Sequence, residues 1–372
     1  MKIGLLPYSL PLSTPRHTAQ GMLSSRDGWL VKICMEDGMT GRGDCAPLSW
    51  MKAEQSSAAV RDLQQLQRQL SGLDFHSAIQ HLDSIEETSS AALFAFETAL
   101  LDLLSQQQSL TLSHLLNPQA APMVEVNAAA GAITQSSDIR IMRAVNTGMK
   151  VLKFKAGVAG VQEEIVRLQQ IAALLPEGVR LRIDANQAWS MGDALCFLEA
   201  IERLPVESVE EPLREPDIRA WKTLAEHTSI PLAADESLPG SDIDMLLESG
   251  GISRVILKPT MLGGLRRCME LHEKAAKAGV DSVVTSTLES AVGVWACIHL
   301  AAAVDTRQQE SHGLATSSWF TENVGQPPEI EDGKILLPEK QDATYRGCSS
   351  GAPPYGRGQG ERKNASLFRI IK

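Results

Sequence analysis

The chain lacks any C-x-x-C pair. Its six cysteines, at positions 34, 45, 196, 268, 297 and 348, are scattered through mostly apolar contexts. They read as reduced, buried thiols, not a disulfide framework or a zinc site, which suits a cytoplasmic protein. Long apolar runs are also missing. The longest, Ala291 to Val304, contains His299 and falls short of the roughly 20 residues a membrane span requires. At the N-terminus the apolar stretch is too short, and Pro7 too early, for a secretory signal. Positive charge is outweighed: 35 Lys and Arg against 45 Asp and Glu give a net charge of −10, and only 4% of residues are aromatic. No basic stripe interleaved with aromatics appears, so neither nucleic acid nor membrane is an expected partner. No Gly-x-Gly-x-x-Gly follows an expected strand, and Gly263-Gly264 stands alone, which argues against a Rossmann nucleotide site.

What is present is a long, ordinary globular composition. The 372 residues, 43% of them hydrophobic and 22% charged, suit a large barrel or two domains. Residues Gly28 to Ile33 alternate in a β-prone pattern, and Glu36-Asp37-Gly38 and Gly41-Arg42-Gly43-Asp44 read as turns of a small meander. The tripeptide Arg42-Gly43-Asp44 is expected to be such a turn and nothing more. From about Ala53 to Leu116 the pattern is helical, and Pro118 and Pro122 place a boundary near 117–123. Beyond it, apolar strands begin near Val124, Val151, Leu181, Ser208, Leu232, Arg254, Ser282 and Glu310, with helical periodicity between most of them. Eight strands with connections this short predict a closed parallel barrel. Residues 346–372 hold six Lys or Arg against Glu361 alone, amid Gly, Pro and Ser, and are expected to form a disordered, solvated tail.

Barrels place their chemistry where strands end. Val151-Leu152-Lys153-Phe154-Lys155 puts Lys153 and Lys155 on one face, where each ammonium depresses the pKa of the other. The third strand places Arg182, Asp184 and Asn186 on one face, and Leu181, Ile183 and Ala185 on the other. The fourth ends in Glu210-Glu211-Pro212. Glu211 shares the parity of Val209, which should face the helices, so Glu210 is the better inward candidate. The fifth ends in Asp235-Glu236-Ser237, the sixth in Lys258, and the seventh runs into Thr285-Ser286-Thr287. A single Asp at a strand end is usually a helix N-cap. Five charged ends in the order Lys, Asp, Glu, Asp, Lys are hard to obtain from capping alone. Three carboxylates in one barrel mouth repel unless a hard cation binds them, and oxygen-only donors point to Mg²⁺, with Mn²⁺ as a substitute. Of eight histidines only His312, beside Gly313, falls near the expected mouth, and no Ser/His/Asp arrangement emerges.

Together, Lys153-x-Lys155, Asp184-Ala185-Asn186, Glu210-Glu211-Pro212, Asp235-Glu236-Ser237 and Lys258-Pro259 resemble the enolase superfamily, in its muconate-lactonizing subgroup, across residues 1 to about 340. The resemblance implies a modified TIM barrel, (β/α)7β, with an N-terminal α+β capping domain. The implied domains are 1–120 for the capping domain, 121–325 for the barrel, 326–345 for a C-terminal return towards the capping domain, and 346–372 for the tail. It implies Mg²⁺ held by Asp184, Glu210 and Asp235, and removal of a proton α to a carboxylate with Lys155 and Lys258 on opposite sides of the substrate.

The segments Ser286 to Ser290 and His312 to Asn323 look most like the o-succinylbenzoate synthases of that subgroup, whose reaction is a syn dehydration serving menaquinone biosynthesis. On that likeness Lys155 is base and then acid, Lys258 stabilises the enediolate, and Lys153 keeps Lys155 partly neutral. Asn186, Thr285, Ser286 and Gly313 are the expected substrate-side residues. Segments at about 13–28 and 47–52 are expected to be loops that close over the barrel. Dipeptide epimerases and N-acylamino acid racemases of the subgroup are the alternative, although epimerases typically carry Asp-x-Asp at the eighth strand, where this chain has Leu314-Ala315-Thr316. A non-catalytic binding protein on a relict barrel is the alternative from another class. The expected partner is a small carboxylate substrate, and self-association is left open.

Overall fold

The computed structural model describes residues 1–18, 21–48, 53–85, 88–214, 216–240 and 242–339. The chain begins with an antiparallel sheet of β1 (Lys2–Thr18), β2 (Gly21–Cys34) and β3 (Thr40–Cys45). The segment 13–28, expected as a loop, instead lies largely in the paired arms of β1 and β2, with an irregularity between Pro11 and Arg16. Much of the 47–52 segment lies outside the described residues, as does the tail. The Arg42-Gly43-Asp44 segment is likewise strand and not turn. Its glycines are needed for close approach: a Cβ on Gly41 or Gly43 would sit 1.9 or 1.8 Å from the carbonyl oxygen of Ala99 or Ala95.

Those carbonyls belong to α3 (Ser90–Gln107), which follows α1 (Ala53–Leu70) and α2 (Phe75–Asp83) and precedes α4 (Leu112–Leu116). Helix α3 is apolar nearly all round, because it is covered on several sides. It packs against the capping sheet, and its Glu97 reaches the barrel, accepting from the Arg266 Nε at 2.8 Å.

Next come β4 (Met123–Val126), β5 (Ala128–Ala132), α5 (Asp138–Asn146), β6 (Val151–Lys155), α6 (Val161–Leu174), β7 (Arg180–Asp184), α7 (Met191–Ile201), β8 (Val206–Glu210) and α8 (Ile218–Ala225). They are followed by β9 (Leu232–Ala234), α9 (Ile243–Glu248), β10 (Arg254–Leu257), α10 (Pro259–Leu262), α11 (Leu265–Lys277), β11 (Asp281–Val284), α12 (Ala291–Val304), β12 (Ser311–His312) and β13 (Lys334–Leu336). Strands β5 to β11 form one parallel sheet in chain order. The seam between β11 and β5 is spanned by β12, which pairs with β4, while Gly313 bridges to Thr285. The expected (β/α)7β barrel with its α+β cap is present.

Two strands differ from expectation. The strand near Val124 is β4, which pairs with β12 and β13, and the first strand of the parallel sheet is Ala128–Ala132. The run Ala-Ala-Ala-Gly-Ala has no large side chain to mark a period, so the sequence hides it. The eighth strand is only two residues long. Contact with the capping sheet is made early, by Phe320 opposite Leu12 and by Thr321 N–H to the Pro11 carbonyl at 3.0 Å. The segment expected to return towards the cap then adds β13 to β4.

Leu181, Ile183 and Ala185 face the helices within the main core, while Arg182 and Asp184 face the barrel interior, as the alternation requires. The lower interior is closed by buried ion pairs. Arg182 and Arg254 both pair with Glu207 and with Glu310, the latter at 2.9 and 2.8 Å. Above them Ala233, Ile256 and Val283 form a small apolar layer. The charged rim therefore rests on a filled floor, not an open pore.

His312 points away from the mouth. It is buried, its Nδ1 accepts from the Val284 N–H at 3.0 Å, and its Nε2 lies 3.7 Å from Asp305 at the end of α12. His299, inside α12, is fully buried, and neither ring nitrogen has a partner among the described residues. Burial, with a smaller contribution from His114, pushes its pKa down to about 3. The folded protein therefore keeps this ring neutral while the unfolded chain takes up a proton below about pH 6.5. Stability from this group is full above that pH and falls as pH drops towards 3, by about 1.4 kcal/mol per pH unit. In urea unfolding from pH 7.5 to 5, His299→Leu is expected to remove about one proton from the pH slope. An unchanged slope would contradict this assignment.

Among the described residues, no helix is long and apolar enough to cross a membrane. Cys45, Cys268 and Cys297 are buried thiols, as expected, but Cys196 is exposed on α7. Cys348 lies outside the described residues.

Candidate functional site

The parallel register aligns Lys155 with Asp184 and Asp184 with Glu210 at three successive strand ends. Asp235 follows β9, and Lys258 follows β10. None of the three acids caps a helix. The helices after β7, β8 and β9 are capped by the side chains of Ser190, Asp217 and Asp242, which leaves Asp184, Glu210 and Asp235 free to face the mouth. All three are at least nine-tenths buried.

The Lys153 ammonium sits between two of them, donating to Glu210 Oε1 and Oε2 at 2.8 and 2.6 Å and lying 2.9 Å from Asp184 Oδ2. Lys258 pairs with Asp235 across the mouth. Burial pulls the Lys153 and Lys258 ammoniums down, but the facing carboxylates outweigh it, and both end well above the ordinary lysine value. For Lys153 this reverses the expectation from the lysine pair alone, because the nearest charges are anions and not Lys155. Lys155, at the exposed end of β6, donates to Asn186 Oδ1 at 3.1 Å, and Asn186 Nδ2 donates to Glu236 at 2.9 Å.

The carboxylates respond unequally. Burial followed by the charge of Asp184 raises Glu210 to about 7. Burial also raises Asp235, against the pull of Lys258. Asp184 is held below its usual value: burial would raise it, but Lys153, Lys258 and Lys155 together prevail. As placed, no three Asp, Glu, His or Cys groups among the described residues gather into a ready cage. Lys153 bridges Asp184 and Glu210, and Lys258 pairs with Asp235. The donor set nevertheless fits a hard divalent cation: all three donors are carboxylates that face one mouth, and the repulsion from Asp184 and Asp235 that, with burial, raises Glu210 is what such an ion would relieve. Asp184, Glu210 and Asp235 would hold such an ion.

Two further carboxylates brace the rim without facing it, and the sequence reading passed over both roles. Glu164, in the first turn of α6, accepts the N–H groups of Gly157, Val158 and Ala159 at 2.9 to 3.1 Å, fixing the loop after Lys155. Glu211 accepts the N–H groups of Asp235 and Ser237 at 2.7 Å and the Ser237 hydroxyl at 2.8 Å, tying the end of β8 to the loop that carries Asp235. Glu211, Asn186 and Gln187 all adopt positive φ, of 43°, 44° and 60°, so the rim backbone is strained where the charges converge. An acid in the first turn of a helix that follows a strand is the one sequence cue to Glu164.

On the far side, Thr285 and Gly313 face each other closely: a Cβ on Gly313 would meet Thr285 Cγ2 at 2.8 Å. The Ser286 hydroxyl is buried, 2.8 Å from the Thr316 hydroxyl and 3.3 Å from the Gly313 carbonyl. Thr285, Ser286 and Gly313 therefore form one cluster beside Lys258, whereas Asn186 lies with Lys155.

A parallel barrel under an α+β cap, with acids and lysines ringing the C-terminal ends of its strands, defines the class of fold. The Enolase C-terminal domain-like family matches residues 138–341, and the chain belongs to the enolase superfamily. It is 30% identical over 305 residues to the o-succinylbenzoate synthase of Yersinia pestis (strain Pestoides F), covering 80% of this chain and 85% of that protein. It is 26% identical over 290 residues to the hydrophobic dipeptide epimerase of Enterococcus faecalis, covering 77% of this chain and 82% of that protein. The fold is shared with the dipeptide epimerase from E. faecalis V583, crystallised with Mg and the dipeptide L-Leu-L-Tyr. That match has a TM-score of 0.81 at 24% identity and covers 91% of this chain and 97% of the other.

Proposed function

We propose that the protein is a Mg²⁺-dependent o-succinylbenzoate synthase of the cytoplasm. The carrying observation lies at the eighth strand. Residues 311–318 contain no Asp or Glu, and the rim there presents Thr285, Ser286 and Thr316. Hydroxyl and backbone groups suit the carboxylate of a succinyl chain, whereas a substrate ammonium needs an anion to pair with.

Asp184, Glu210 and Asp235 would hold Mg²⁺, which when bound would supply positive charge against the substrate carboxylate. Lys155 takes the proton from the ring carbon α to that carboxylate. It then returns a proton to the hydroxyl leaving from the same face, so the products are the aromatic 2-succinylbenzoate and water. One residue performs both transfers because syn geometry keeps both groups on its side. Lys258, on the opposite side, stays protonated and stabilises the enediolate electrostatically. Lys153, pinned by Glu210 and Asp184, orders the acids and is not a proton carrier.

Epimerisation of a dipeptide or N-acylamino acid is the second reading. It is favoured by matches to dipeptide epimerases over more than three quarters of the chain at identities close to those of the synthases. Both reactions begin with the same proton abstraction. The assay that separates them follows diene absorbance of the hydroxycyclohexadiene carboxylate beside deuterium uptake at a dipeptide α-carbon.

A further inference from the structure

Arg26 lies in β2 opposite Leu10, and its side chain is 1% exposed. It is turned into the seam between the capping sheet and the barrel. Two guanidinium nitrogens donate to the carbonyls of Ala46 and Pro47, just beyond β3. On the barrel side Nε donates to the Leu288 carbonyl at 3.1 Å, and Nη2 reaches the Thr287 carbonyl at 3.4 Å. A planar fork of five donors can serve four carbonyls on two segments, and an ammonium cannot do so in the same geometry.

The segment so held is strained. Leu288 has φ of 65°, a left-handed conformation unfavourable for a branched side chain, which persists only where the surroundings enforce it. From the barrel side Glu289, fully buried, accepts the Thr287 N–H at 2.6 Å and the Thr260 hydroxyl at 2.5 Å. The loop is therefore gripped from below by a carboxylate and from the cap by a guanidinium. Thr285 and Ser286 stand immediately before the gripped residues.

We propose that Arg26 is a positioning residue: from the capping domain it sets the conformation of the Thr285–Leu288 loop, and with it the fit of the part of the substrate remote from the reacting carboxylate. The inference about fit rests on the reading that Thr285 and Ser286 face the succinyl group. The grip on the loop does not. Arg26 touches none of the groups that move protons in that reading, so its loss acts on substrate fit more than on the chemical step.

The test compares wild type with Arg26→Met and with Arg26→Lys, which keeps the buried charge and serves if the first variant does not fold. Expected are a KM for the cyclohexadiene substrate raised at least tenfold in Arg26→Met and less in Arg26→Lys, with kcat within threefold and Mg²⁺ affinity unchanged. Amide hydrogen exchange at 286–288 should quicken at least tenfold while β6 to β10 stay protected. Wild-type exchange at 286–288 overturns the grip, and faster exchange with unchanged KM overturns the role in substrate fit. If the wild type does not dehydrate the substrate, the synthase reading fails, and the exchange measurement still decides whether Arg26 holds the loop.

Discussion

Replacing Lys155 with alanine is expected to lower kcat for dehydration by about 10²- to 10⁴-fold, the usual contribution of a positioned proton carrier. KM should change little, and the melting temperature should stay close to wild type. The reason is local. Lys155 is exposed at the end of β6, its one side-chain hydrogen bond among the described residues goes to Asn186, and Asp184 keeps Lys153, so truncation leaves no buried charge unpaired. Lys153→Ala provides the contrast. It removes the partner of both Asp184 and Glu210 in a buried setting, and should cost stability in the metal-free protein of about 3–5 kcal/mol. Steady-state kinetics beside urea unfolding separates the two. Equal kinetic loss with equal destabilisation in both variants would remove the division of labour between the lysines.

Metal removal is the second large effect. EDTA is expected to abolish turnover, and Mg²⁺ at about 100 times its Kd should stabilise the protein by about 2.7 kcal/mol. Affinity should also depend on pH in a stated direction. Glu210 titrates at about 7 in the metal-free protein and must lose its proton to bind a cation. Mg²⁺ binding should therefore be nearly level above pH 7 and weaken by about tenfold per pH unit below it, for the one proton released. Glu210→Gln should lose both the affinity and this pH dependence. Calorimetric titration at pH 8, 7 and 6 checks it, and an affinity that is flat across that range would place the metal elsewhere.

The barrel and the order of its rim charges were legible because each charged residue closes a short apolar strand, and parity sorts inward from outward. That logic separates Glu210, on Lys153, from Glu211, beneath Asp235. What was hidden depends on contacts remote in sequence or on unmarked residues. Ala128–Ala132 carries no periodic signal. Arg26 meets Leu288 across 262 positions, and nothing near Arg26 in the chain announces that partner. The sequence shows Lys153 only its neighbour Lys155 along the strand, whereas Asp184 and Glu210, which raise its pKa, approach only through folding. Position in the chain puts His312 near the mouth, but its ring turns to Asp305 at the end of α12.

The choice between dehydration and epimerisation is the central claim, and one measurement bears on it most directly. Wild-type protein with saturating Mg²⁺ is mixed with 2-succinyl-6-hydroxy-2,4-cyclohexadiene-1-carboxylate, and the diene absorbance is followed, with a parallel sample in deuterium oxide holding dipeptides and N-acylamino acids. The account predicts rapid loss of the diene, abolished by EDTA, and little α-deuteration of the amino-acid substrates. A stable diene together with rapid α-deuteration would contradict it and make the protein an epimerase or racemase on the same barrel.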